Sequence, residues 1–155
     1  MKTVFWAGFW TFLIDQLSKY VVVHMLDLVN RGVIEVAPPL LTLRMAWNTG
    51  INFGLFSDGS GAARWFLIAL ALAICGAVLF WVHRERPRHI GLIAAGVLVG
   101  GALGNVIDRI IYGAVADFLN MSCCGIDNPF AFNVADIAIF VGAAGLILLP
   151  AEKGA

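Results

Sequence analysis

The sequence predicts an all-α membrane protein with four transmembrane helices and a small external β element at the membrane surface. Three observations carry this prediction. Hydrophobic residues make up 61% of the 155-residue chain and charged residues 13%, at a mean hydropathy of +0.89, outside the usual composition of a soluble domain. Four long apolar runs are present; at roughly 20 residues per span they leave room for short loops and one extramembrane element in a single integral membrane domain over residues 1–155. One loop segment alternates apolar with polar or small side chains, as a strand does. Ten Lys and Arg balance ten Asp and Glu, so no basic excess points to nucleic acid.

The first run, 3–23, is apolar through Ile14 and then interrupted by Asp15, Gln16 and Lys19. It lacks the small-residue cleavage pattern of a secretory signal, so a retained helix is expected. The second, 65–82, carries no charge. The third, 90–107, holds Gly91, Gly96, Gly100, Gly101 and Gly104, which let neighbouring helices approach closely in lipid, so it is expected at the centre. The fourth, 134–149, has Asp136 near its start and ends at Pro150.

Orientation follows from the basic cluster His83-Arg84-Glu85-Arg86-Pro87-Arg88-His89. Positive residues in a short loop mark the cytoplasmic side, which places both termini in the cytoplasm and loops 24–64 and 108–133 outside. The first external loop is too long for a mere connector. Within it Leu41, Leu43, Met45 and Trp47 alternate with smaller or polar residues between Pro38-Pro39 and Asn48-Thr49-Gly50, a strand with one greasy face set on the membrane surface.

An ionisable group near a span is costly unless paired or facing a polar cavity. Asp15 and Lys19 stand i, i+4, which fits an ion pair that positions the helix. Gly101, Asn105 and Asp108 or Arg109 share a helix face, and Asp108 beside Arg109 fits a helix-end salt bridge. Asp117, among Val115, Ala116, Phe118 and Leu119, reads alone as a cap or loop acid. Asn133 and Asp136 have the i, i+3 spacing of an N-cap and its return partner. Capping does not account for two isolated acids at one membrane face. Two carboxylates in one poorly hydrated site share a proton, giving one base and one acid near neutral pH, as in aspartic proteases.

Other chemistries find less support. Ser18, Ser57, Ser60 and Ser122 have no suitable histidine, since His83 and His89 lie on the cytoplasmic side and His24 ends the first run. No metal-binding, phosphate-loop or dinucleotide motif is present. Cys123 and Cys124 are adjacent; a disulfide between neighbours is strained, so two free thiols are expected.

Taken together the motifs resemble those of the lipoprotein signal peptidases, or type II signal peptidases, over nearly the whole chain. Asp15-Gln16 with Lys19 is similar to the family's first-helix motif, and Asn48-Thr49-Gly50 through Phe53-Gly54 to its external-loop motif. Gly101 through Asn105 with Asp108-Arg109 resembles the third-helix motif. Residues 115–118 and 132–136 resemble the two catalytic motifs. Ile51 and Asn52 depart from the small residues expected there. The resemblance implies a cofactor- and metal-free membrane aspartic endopeptidase of the bacterial inner membrane, active near the periplasmic face. It would cut prolipoproteins before a diacylglyceryl-modified cysteine. Asp117 and Asp136 would form the dyad. Asn48, Asn105, Arg109 and Asn133 would position the substrate and orient the dyad, with Asp15 and Gly104 in support. Membrane lipid would be a partner, cyclic peptides of the globomycin type would inhibit, and a monomer is expected. A proton-coupled transporter and a non-enzymatic assembly or lipid-binding membrane protein are the rival classes, and peptide-bond cleavage by the purified chain would exclude both.

Overall fold

The computed structural model describes residues 1–50, 61–125 and 127–148. Ile51, Asn52, Phe53 and Gly54 of the external-loop motif, and Leu149 and Pro150 at the end of the fourth run, lie outside them. The chain is mostly helical, with a three-stranded sheet at one end.

Helix α1, Lys2–Lys19, continues into a π-helical segment, Tyr20–Met25, in which Leu26 N–H donates to Val21 O. A single turn, α2 (Leu28–Arg31), follows and buries Leu28. Helices α3 (Ala62–Glu85) and α4 (His89–Tyr112) have mean hydropathies of 2.5 and 2.1 and are, among the described residues, long and apolar enough to cross a membrane. Both outrun the expected spans, so the connection expected at 83–89 shortens to 86–88. There Arg86 ends α3 in the left-handed conformation (φ 46°) and Pro87 follows. Helix α5, Val134–Leu148, is shorter.

Helix α4 is the hub, packed against α1, α3 and α5, and its glycines explain how. A Cβ on Gly96 would stand 2.5 Å from Val4 O of α1, and one on Gly101 would stand 2.6 Å from Ala135 O of α5. These helices meet backbone to backbone, the close approach that small residues permit in lipid. Ala95, Val4 and Val82 form one buried cluster, and Cys75, Leu98, Val99 and Ala102 another. By contrast α3 packs chiefly on α4 and keeps most of its surface exposed.

Strands β1 (Val33–Ala37), β2 (Leu41–Asn48) and β3 (Val115–Asn120) pair antiparallel in the order β1-β2-β3. The expected strand is β2, but its setting differs from a greasy face laid on lipid. Leu43 is buried with Leu28 and Phe118, and Met45 packs against them, a small core under the sheet. Trp47 is exposed at the rim and meets Tyr112, ring centroids 5.5 Å apart. Residues 115–120, read from sequence as a loop, form β3 because both of its faces are covered: Val115 through Phe118 are all buried. Cys123 and Cys124, expected as free thiols, are joined in a disulfide. The chain turns left-handed at Cys124 (φ 60°) and Gly125 (φ 80°) there, which folds the two adjacent side chains onto each other.

Candidate active site

Four elements converge where the sheet meets the helices. Antiparallel register sets Ala46 opposite Asp117 and Asn48 opposite Val115, so the end of β2 delivers Asn48 beside the Asp117 side chain. Phe132 pairs with Leu119, Leu119 N–H donating to Phe132 O at 2.8 Å and Phe132 N–H returning to Leu119 O at 3.0 Å. That pairing places the next residue, Asn133, at the start of α5 and against β3.

Asn133 is fully buried and links the two acids. Its Nδ2 donates to Asp117 Oδ1 at 2.6 Å, while its Oδ1 accepts from Asp136 N–H at 2.9 Å. Asp136 Oδ2 accepts in return from Asn133 N–H at 3.2 Å. The capping read from the i, i+3 spacing is therefore present as a reciprocal box. It coexists with a bond from Asn105 Nδ2 to Asp136 Oδ1 at 2.9 Å. Asn48 Nδ2 donates to Asp117 Oδ2 at 3.0 Å, and Asn48 Oδ1 accepts from Gly50 N–H.

The carboxyl of Asp117 is buried beside another acid. Burial, and then the charge of Asp136, push it up to about 6, against the opposing hydrogen bonds from Asn48 and Asn133. An acid so placed holds its proton far longer than a solvated aspartate. Arg109 donates from Nη1 to Asn105 O at 3.3 Å and feels the charges of Asp136, Asp117 and Asp108. Its Nε is buried with no hydrogen-bond partner among the described residues, a donor left available at the site.

Behind this layer lies a buried ion cluster. Lys19 Nζ reaches Asp15 Oδ2 at 2.7 Å and Asp108 Oδ2 at 2.8 Å, and donates to Asn105 Oδ1 at 3.2 Å. The pair expected between Asp15 and Lys19 is there. The salt bridge expected between Asp108 and Arg109 is not: Asp108 turns toward α1, where an ammonium in a dry setting is the better partner, while Arg109 faces the other acids. Gly104 fits its place because a Cβ would collide with Asp15 Oδ2. Asp15, Asn48, Gly104, Asn105, Arg109, Asp117, Asn133 and Asp136 thus fall in one connected region. Asn120, which sequence reading passed over, is buried and donates to Asn128 O (2.7 Å) and Phe130 O (2.8 Å), shaping the loop between β3 and α5. Its signal was an asparagine closing the short, mostly apolar run 114–119.

The family model for signal peptidase (SPase) II matches residues 8–150. The chain belongs to the signal peptidase II family. Among relatives, the lipoprotein signal peptidase of Rhodopseudomonas palustris is 37% identical, covering 95% of this chain and 93% of the relative. That of Methylobacterium radiotolerans is 43% identical over 89% of this chain and 79% of its own length. A solved bacterial membrane enzyme at 1.9 Å resolution superposes with a TM-score of 0.81 at 27% identity, covering 96% of this chain and 92% of that one. As a signal peptidase II the chain is an aspartic-type signal peptidase, a hydrolase of the bacterial membrane, and the transporter and assembly-protein alternatives fall away.

Proposed function

We propose that this signal peptidase II removes the signal peptide from prolipoproteins, cutting before a diacylglyceryl-modified cysteine, with Asp117 and Asp136 as the catalytic dyad. The observation that carries the reading is Asn133, one buried side chain tied at once to the Asp117 carboxylate and to the backbone of Asp136. Two acids so joined share one proton. Asp136 sits in the first turn of α5 and accepts hydrogen bonds from Asn105 Nδ2 and from Asn133 N–H. It serves as the base that takes a proton from water as the oxygen attacks the scissile carbonyl. Asp117, which holds its proton longer, donates a hydrogen bond to the carbonyl oxygen as negative charge develops there. The proton gained by Asp136 then passes to the departing amine, the C–N bond breaks, and the dyad returns to its single shared proton. Arg109, Asn105 and Asn48 hold the backbone of the substrate and the orientation of the two acids.

In this reading α1, α3, α4 and α5 each cross the membrane as one domain spanning 1–155, with both termini cytoplasmic and the dyad at the periplasmic face. A cavity of about 440 Å³ between α3, α4 and α5, lined by Leu67, Ile74, Leu98 and Ile139, runs up to Asn105 and Arg109. It supports lateral entry of signal helix and acyl chains from lipid. Two chains anchor at about 0.8 kcal/mol per buried CH₂, and that binding holds the peptide extended at the depth of the dyad. The test compares purified enzyme acting on one precursor with and without diacylglyceryl modification, at saturating amounts in the same bilayer. The lipidated form should be cut at the cysteine and the unmodified one barely. Equal rates would make the chain a general membrane peptidase.

The pH profile follows from Asp117. Its proton leaves the free enzyme at about pH 6, so kcat/KM should fall above that pH. Bound substrate excludes water and raises the carboxyl further, so the alkaline limb of kcat should lie at higher pH than that of kcat/KM. Coincident limbs would argue against a water-excluding site. Stability has a definite sign too. A group raised in the folded state contributes fully below its unfolded value, 3.8, and loses that contribution as pH rises through about 6. Asp117→Asn should therefore gain in thermal stability relative to wild type between pH 5 and pH 8.

A further inference from the structure

The buried cluster behind the dyad makes an arrangement that helix packing alone does not require. Asp15 Oδ1 accepts from the backbone N–H of Ala135 at 2.9 Å, and Asp108 Oδ2 accepts from the backbone N–H of Ala116 at 3.3 Å. Ala135 immediately precedes Asp136, and Ala116 immediately precedes Asp117. Each supporting carboxylate thus grips the backbone N–H of the residue that precedes one acid of the dyad, and a single ammonium, Lys19 Nζ, holds both carboxylates.

We propose that Lys19 is a positioning residue for the dyad, fixing the separation of Asp117 and Asp136 through Asp108 on one side and Asp15 on the other. The inference rests on the dyad reading above. Gln16 reinforces the clamp, its Nε2 donating to Asp15 Oδ2 and to Asp108 Oδ1, each at 3.1 Å. A third strut runs from Lys19 to Asn105 Oδ1, whose Nδ2 holds Asp136. β3 and the start of α5 also meet directly, through the pairing of Leu119 with Phe132 and the bond from Asn133 to Asp117, and the Lys19 cluster ties each of them in addition to α1 and α4. Without Lys19 the carboxylates of Asp15 and Asp108 would repel, and the backbone that each one grips would shift with it.

A buried ion cluster is a poor device for stability alone, because well-packed apolar residues often do as well. It is a good device for geometry. Two carboxylates on one ammonium fix distances that apolar contacts leave soft. A dyad sharing one proton depends on those distances, and a displacement of about 1 Å at a reacting group can cost on the order of 10²-fold in rate.

The test uses Lys19→Met and the all-neutral Asp15→Asn/Lys19→Met/Asp108→Asn variant of the full chain, assayed on lipidated precursor beside a thermal melt. The triple variant leaves no unpaired buried charge, so it decides the matter if Lys19→Met does not fold. The expected result is a folded triple variant whose kcat falls on the order of 10²-fold while KM, set by membrane anchoring, stays close to wild type. The alkaline limb of kcat/KM should move as well, because the coupling between the two acids depends on their spacing. A folded triple variant with wild-type kcat and an unmoved limb overturns the proposal. So does a triple variant that cannot fold, which would assign the cluster to the fold itself. Asp117→Asn and Asp136→Asn run in parallel separate the two claims. Activity in either removes the dyad, whereas inert dyad variants beside a normal triple variant leave the dyad standing and remove Lys19 from it.

Discussion

Asp117→Asn and Asp136→Asn should each lower cleavage of a lipidated precursor by about 10³-fold or more, with the helices intact. Asparagine matches aspartate in size but neither takes nor releases the shared proton. The two variants should differ in stability. At position 117 the amide loses one of two accepted bonds, from Asn48 or Asn133, but also removes an acid that burial disfavours. At position 136 it must give up either the Asn105 bond or the return bond to Asn133 N–H, the latter part of the α5 cap and worth about 1 kcal/mol. Asp136→Asn should therefore melt lower than Asp117→Asn at neutral pH. Near-wild-type turnover in either variant would remove that residue from the dyad. Asp108→Asn should be milder for turnover and harsher for stability.

The second large effect concerns the seam between α1 and α4. A Cβ on Gly100 would run into Gly8 O and lie 2.9 Å from both Gly8 Cα and Thr11 Cβ. Backbone cannot rotate aside as a side chain can. Gly100→Leu should force the helices apart, costing about 3 kcal/mol or more, and the displacement of α1 would carry Asp15 and Lys19 away from α5 and β3. Neither a cooperative melt at the wild-type temperature nor turnover should survive. Gly76 on α3 is the control, because a Cβ there meets nothing within 4 Å. Gly76→Ala should be neutral or gain up to about 1 kcal/mol from helix propensity. If Gly100→Leu melted like Gly76→Ala, the close seam would not exist.

What could be read in the sequence depended on whether the signal was local. Helices α3 and α4 announce themselves as apolar runs, and β2 by alternation. Strand β3 does not, because Val115, Ala116, Asp117 and Phe118 are buried on both faces and a strand covered on both sides has no period of two. The box formed by Asn133 and Asp136, and the pair formed by Asp15 and Lys19, follow from spacing within one helix turn. The bond from Lys19 to Asp108 joins different helices and leaves no trace in spacing. The neighbour Arg109 therefore drew the expected pairing instead. The gathering of Asp117 with Asp136 is suggested by two isolated acids at one membrane face, and the resemblance of whole motifs to the signal peptidase II family sharpens it.

The bond from Ala135 N–H to Asp15 Oδ1 joins residues 120 positions apart, which bears on how the molecule is made. Synthesis delivers α1 before α4, and α4 before α5. Lys19 pairs with Asp15 within α1 itself, and Asp108 can join the pair once α4 is in place. Asn133 and Asp136, and the backbone that Asp15 grips, arrive only with α5. Until then Asp117 stands without the Asn133 bond and without Asp136, its partner in the proposed dyad. With the proposed dyad, the order of translation imposes latency on a growing chain: its second acid, and so its power to cut neighbouring nascent segments, waits for α5.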